Sequence, residues 1–301
     1  MHLFTLLTLL SYFFGAVIAQ VPIYTFPIQT KNYYVSGGNG VQIFVEEKGN
    51  PEKTTIVFTS GYLGTRISWD PQWTDSYLSK EFHLVRWDCR GLGRSDKPND
   101  YSLKLHSDDL AAVVANVKSN KSNKKIVLVG WSYGSPISLT FMQNYPEFEV
   151  QGFVSVSGLV NFKFEMKKEL ADVFPALMGS DDFATITSTL SKVYSNIAAK
   201  PTSDELFYLM LGQASTVSNG YRKTNIFDQT IDLSNFFSSL NIPTLNIIGD
   251  QDQLVPLDYS LYYAGLAKYG RKIIYEECGH IAPWEYTKEF NKDISEFASK
   301  I

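Results

Sequence analysis

Ser132 lies in Gly130-Trp131-Ser132-Tyr133-Gly134, a G-x-S-x-G pattern that follows the apolar run 125–131 and precedes a helical stretch at 136–145. A serine there can be a turn residue or a nucleophile, and the five residues alone leave the two readings even. A nucleophile would occupy a strained strand-to-helix turn, with its hydroxyl projecting from the sheet edge. Glycine would then be needed two residues either side, because neighbouring backbone passes close by. Such a serine also needs a base and an acid to orient it. Asp252 follows the apolar run 243–250, and His280 follows the run 271–277. The chain order Ser, Asp, His is the one expected for such a turn, and the stretch between the last two accommodates a loop, a helix and a strand. His280 would take the Ser132 proton, and Asp252 would fix the imidazole tautomer and stabilise its protonated form. Asp250 is the rival acid; it sits nearer the strand and reads better as a turn residue.

Negative charge developing on a carbonyl oxygen needs two backbone N–H donors. One is expected at Tyr133, directly after the serine. The other is expected at Tyr62, in the loop 59–70, where Gly61 lets backbone approach. Trp131 and Trp284 flank these groups and are candidate pocket walls, with core packing the equal alternative. His83 precedes a strand and His106 opens a helix, so both read as surface or capping residues. The histidines are scattered rather than set at ligand spacing, so no metal is expected, and no cofactor motif is present.

Such groups need a scaffold that brings distant stretches to one edge. Runs at 54–60, 82–88, 125–131, 151–158, 243–250 and 271–277 are nearly continuous in apolar residues, as strands buried on both faces are. Residues 41–47 alternate and follow a Gly-rich turn, so they form a further strand, and short Gly-containing links predict an antiparallel start. Between the runs lie helical patterns. Leu110, Val113, Val114 and Val117 share one face of the stretch 106–119, and Phe290, Ile294 and Phe297 share one face at 285–300. Alternation of this kind predicts a parallel sheet with helices on both faces. From about 161 to 242 no strand is evident, and helical pieces at 163–174, 187–199 and 203–215 predict an insertion lying outside the sheet.

The chain has 301 residues, 44% of them hydrophobic, and a formal net charge of −4. No basic cluster is present, which argues against nucleic-acid binding. Residues 3–18 carry no charged side chain, and Val17 and Ala19 suit a cleavage site before Gln20. Residues 1–19 therefore read as a secretory signal peptide, leaving 20–301 as one secreted domain. An uncleaved membrane anchor is the alternative, although the run is short of the ~20 apolar residues a span needs. No other stretch approaches that length. Asn120 heads an Asn-Lys-Ser triplet and is a glycosylation candidate.

Four ordered segments carry a family resemblance: the serine turn at 130–134, the D-x-R-G-x-G-x-S segment within 88–98, the acid loop at 249–256 and the histidine loop at 278–285. With these, the sequence resembles the α/β-hydrolase superfamily, among its cap-bearing esterases, lactonases, C–C bond hydrolases and cofactor-free haloperoxidases, over most of residues 33–300. The resemblance implies an eight-stranded, mostly parallel sheet, with the 161–242 insertion as a cap over the site. It places several strands between Cys89 and Cys278, so no bridge is expected between them. Ser60-Gly61 stands where relatives usually have His-Gly, and Pro136 in the first turn after the serine predicts an irregular helix start. Serine, rather than the aspartate of dehalogenases and epoxide hydrolases, implies an acyl-enzyme. The expected substrate is a small or medium carboxylic ester or lactone. A perhydrolase or haloperoxidase using the same residues, and a slow-turnover ligand-binding member, are the alternatives.

Overall fold

The computed structural model describes residues 30–119, 125–224 and 230–301. The expected signal peptide and Asn120 lie outside the described residues. The strands are β1 (Lys31–Ser36), β2 (Gln42–Gly49), β3 (Thr55–Thr59), β4 (His83–Trp87), β5 (Ile126–Trp131), β6 (Gly152–Val156), β7 (Thr244–Gly249) and β8 (Gly270–Tyr275). The longer helices are α1 (Leu103–Ser119), α2 (Gly134–Asn144), α3 (Phe183–Asn196), α4 (Asp204–Ser215), α5 (Leu257–Leu266) and α6 (Thr287–Ala298).

The strands form one eight-stranded sheet in the order β1-β2-β4-β3-β5-β6-β7-β8. β2 is antiparallel to both β1 and β4, and every other pairing is parallel. β3 to β7 are buried along their whole length, as their unbroken apolar runs require. β8 differs from expectation. It is one of the two edge strands, and all but Tyr275 of its residues are at least partly exposed. An edge strand has a neighbour on one side only, so a β-branched run there need not be buried. β1, at the other edge and largely exposed, has no strong apolar signal in its sequence.

Leu110, Val113, Val114 and Val117 of α1 are buried, as are Phe290, Ile294 and Phe297 of α6. Both helices thus present their apolar stripe to the sheet. His83 and His106 correct the sequence reading: both are at most 1% exposed. His83 sits against Thr55 and Glu47 across neighbouring strands. His106, in the first turn of α1, lies with its ring edge-on to Tyr133 and Tyr221. Cys89 and Cys278 are free and buried, beyond the ends of β4 and β8, with four strands between those two.

The chain leaves the sheet after β6 and returns before β7. An isolated bridge between Asn161 and Asp232 closes the neck of this excursion, with Leu233 N–H donating to the Val160 carbonyl at 2.7 Å. α3, α4 and several short helices make up the cap. The helix Ser234–Ser239 falls within the range read as insertion, yet it packs onto the main body, where Phe237 stacks on Tyr263 at 4.5 Å.

Candidate active site

Ser132, Asp252, His280 and the loop bearing Tyr62 follow β5, β7, β8 and β3, so all emerge at the C-terminal edge of the parallel strands. Ser132 has φ 53°, a left-handed conformation that side chains other than glycine rarely adopt. Its N–H is held by the Val156 carbonyl at 2.8 Å, and its carbonyl accepts from Ser135 N–H at 3.0 Å. The flanking glycines have a steric cause. A Cβ on Gly130 would meet the Gly134 carbonyl oxygen at 2.6 Å, and one on Gly134 would meet the Thr59 carbonyl oxygen at 2.3 Å. Pro136 leaves the first turn of α2 irregular: the Ile137 to Tyr133 backbone bond is stretched to 3.4 Å.

His280 Nδ1 lies 2.7 Å from Asp252 Oδ2, and both side chains are at most 2% exposed. The other carboxylate oxygen of Asp252 accepts the N–H groups of Leu254 and Val255 at 2.8 and 2.9 Å. The rival Asp250 instead accepts from Cys278 N–H at 3.3 Å. The histidine loop is gripped from two sides. The Trp131 indole donates to the His280 carbonyl at 2.8 Å, and His280 N–H donates to the carbonyl of Ile197 in the cap at 2.8 Å. Glu285 accepts from Gly279 N–H at 2.9 Å and from Ala199 N–H of the cap at 2.8 Å. Burial pushes the Glu285 carboxyl above the usual carboxylate range, against these backbone donors.

The loop after β3 passes directly over the serine: a Cβ on Gly61 would lie 3.0 Å from Ser132 Cβ. Gly64 N–H closes a turn onto the Gly61 carbonyl at 3.1 Å, and Leu63 within it has φ 63°. Ser60, at the position of the usual histidine, donates its hydroxyl to the Thr65 carbonyl at 2.8 Å. Asp88 anchors the far end of the loop, accepting from Arg66 N–H at 2.8 Å and from its guanidinium at 2.9 Å. Arg90 nearby makes a buried two-point pair with Asp109, at 2.6 Å for each bond. The D-x-R-G-x-G-x-S segment is therefore scaffold for this edge of the site.

Ser132, His280, Tyr62 and Tyr133 line one cavity of ≈ 60 Å³. Its remaining walls are mainly apolar and come largely from the cap and its approaches, including Phe162, Phe174, Leu177 and Met210. That volume is far below the ~300–1,000 Å³ usual for drug-sized ligands. Trp131 lines the cavity as expected. Trp284 does not; its indole donates to the Ser68 carbonyl at 2.7 Å and its ring faces a separate surface recess beside Lys200. The helical turn Ala282–Glu285 carries it away from His280.

Sequence reasoning missed the cap's own polar residues. Gln213 and Tyr194 both line the cavity, at 4% and 5% exposure. Their spacing follows no motif, since a cap residue reaches the site only through tertiary packing. Among the described residues no cluster of His, Cys, Asp and Glu could hold a metal ion.

A family profile described as alpha/beta hydrolase fold matches residues 54–286. A bifunctional esterase/perhydrolase of Acinetobacter calcoaceticus is 27% identical over 283 residues, covering 88% of this chain and 98% of its own. An AB hydrolase superfamily protein of Bacillus subtilis is 22% identical over 275 residues, covering 89% and 99%. Among solved structures, a candidate aryl esterase from Burkholderia cenocepacia superposes with a TM-score of 0.81 at 28% identity, covering 90% of this chain and 98% of that one.

Proposed function

Given that the chain belongs to the α/β-hydrolase fold family, we propose that it hydrolyses small carboxylic esters or lactones through an acyl-enzyme on Ser132. The observation that supports this most directly is the buried 2.7 Å His280–Asp252 pair, whose histidine lines the same small apolar cavity as Ser132. In this reading His280 removes the Ser132 proton as Oγ attacks the ester carbonyl. The N–H groups of Tyr62 and Tyr133 receive the oxyanion. His280 then protonates the departing alkoxide, and a water activated by the same imidazole releases the acid. Asp252 keeps one ring nitrogen protonated and steadies the imidazolium.

The test is hydrolysis of a short-chain chromogenic ester by wild type and Ser132→Ala. The variant should lose activity by roughly 10⁴-fold or more. Unchanged turnover in Ser132→Ala rejects the assignment, and inactivity of both proteins favours a ligand-binding role. The Acinetobacter relative's name couples esterase with perhydrolase, which supports a second reading with the same residues: attack by hydrogen peroxide on the acyl-enzyme to give a peracid. Peroxide-dependent halogenation, measured beside hydrolysis, separates the two. Export rests on residues 1–19 alone, and N-terminal sequencing of protein from the culture medium should begin at Gln20.

A further inference from the structure

The Gln213 side-chain oxygen, on α4 of the cap, receives three hydrogen bonds from the loop that crosses Ser132. Thr65 N–H donates at 2.9 Å, the Thr65 hydroxyl at 3.1 Å and the Ser68 hydroxyl at 3.0 Å. A backbone N–H can only donate, so the atom facing Thr65 must be the carbonyl oxygen, which fixes the amide's orientation. Its nitrogen faces the other way, 3.1 Å from Met210 Sδ. The loop needs such support. Leu63 is held in a left-handed conformation that costs a non-glycine residue stability, so its turn persists only where surroundings enforce it. Arg66 is tied to Asp88 and Gly64 to Gly61, and Thr65 between them is held on its donor side by Gln213. Tyr62, three residues before Thr65, also reaches the cap: its hydroxyl donates to the Arg222 carbonyl at 2.6 Å.

We propose that Gln213 is the positioning residue for the Tyr62 loop, so that the cap completes the oxyanion site as well as roofing it. This rests on the reading of Tyr62 as an oxyanion donor. Gln213 touches the loop rather than the oxyanion and acts by setting where the Tyr62 N–H points. A cap that swung away as a free lid would break these bonds, and would also break the Ile197–His280 bond at the histidine loop. Binding and turnover would therefore depend on the cap in different ways.

Gln213→Met keeps an unbranched side chain of similar length and removes the acceptor. Ser68→Ala removes one of the three donors and leaves the cap intact. Each variant is measured with a short-chain p-nitrophenyl ester, and kcat is expressed per active site counted by complete labelling with a fluorophosphonate. Gln213→Met should lower kcat per site roughly 10- to 100-fold, less than loss of a whole oxyanion donor, with KM changed less than about threefold. Ser68→Ala should lower it less, in the same direction. A purely structural role would lower melting temperature and the count of labelled sites while leaving kcat per site unchanged, and that result overturns the proposal. If Gln213→Met does not fold, an unchanged kcat per site in Ser68→Ala overturns it. Failure of the underlying reading is distinct: a crystal structure of the fluorophosphonate adduct on Ser132 would then show its phosphoryl oxygen turned away from the Tyr62 N–H.

Discussion

His106 carries an imidazole into the core with neither ring nitrogen bonded among the described residues. Tyr133, Tyr221, Arg90 and Asp100 are the polar and charged groups around it. Burial, reinforced by the Arg90 charge and opposed by Asp100, pushes its pKa down to about 3. In the unfolded chain the ring titrates near ~6.5. Between those values the unfolded state binds a proton that the native state does not. Its contribution to stability is therefore intact above about 6.5 and is lost progressively as pH falls toward 3. Wild type should lose about 2 kcal/mol between pH 7 and pH 5 through this group. In His106→Leu that component disappears, so urea-unfolding curves of the two proteins should diverge with pH; parallel curves would exclude His106 as the linked group. His106 also shows what single residues conceal in sequence: at the start of a helix it reads as a cap, and only the packing of Tyr133 and of Tyr221 from the cap against it makes it core.

The elements explain two glycines in opposite ways. Gly279, before His280, faces the cap segment at Ile197–Ala199, and a Cβ there would meet Ala199 N at 2.6 Å. That contact is with backbone, so Gly279→Ala must displace either the cap or the histidine loop. Ester hydrolysis should fall at least about tenfold, because misplacement on the order of 1 Å costs that much or more. Gly212, inside α4, is exposed and has nothing within 4 Å of an added Cβ. Gly212→Ala should therefore raise stability by about 1 kcal/mol, seen as a higher melting temperature with unchanged activity. Strand runs and amphipathic faces were readable because burial on two faces or one leaves a periodic signature. β1 and the exposure of β8 were not, since edge position depends on which strands end up adjacent.

For the molecule as a whole, the cap is joined to the sheet edge at several points: Ile197 and Ala199 at the histidine loop, Gln213 at the Thr65 loop and Arg222 at Tyr62. The cavity it encloses, ≈ 60 Å³ and mainly apolar, has room for a small acyl group. Hydrolysis should favour acetyl over octanoyl esters by at least about tenfold in kcat/KM, since each misfitting methylene carries a sizeable penalty. Phe174→Ala, which removes a cap wall, should narrow that preference. A preference for octanoyl esters in wild type would show that the cap yields to long chains.

The sequence alone determined the order and type of the chemical groups. A G-x-S-x-G turn after a buried run, an acid loop and a histidine loop are local patterns, each tied to the end of a strand whose apolar run is visible. Glycine at 130 is dictated within the turn itself, where a Cβ would meet the Gly134 carbonyl, while glycine at 134 answers to the Thr59 carbonyl at the end of neighbouring β3. Only tertiary structure decided that Trp284 faces away while Trp131 pins the His280 carbonyl, and that Gln213 braces the Tyr62 loop. Those outcomes depend on contacts between residues far apart in the chain, set by sheet order and by the path of the cap. No local period or spacing encodes them.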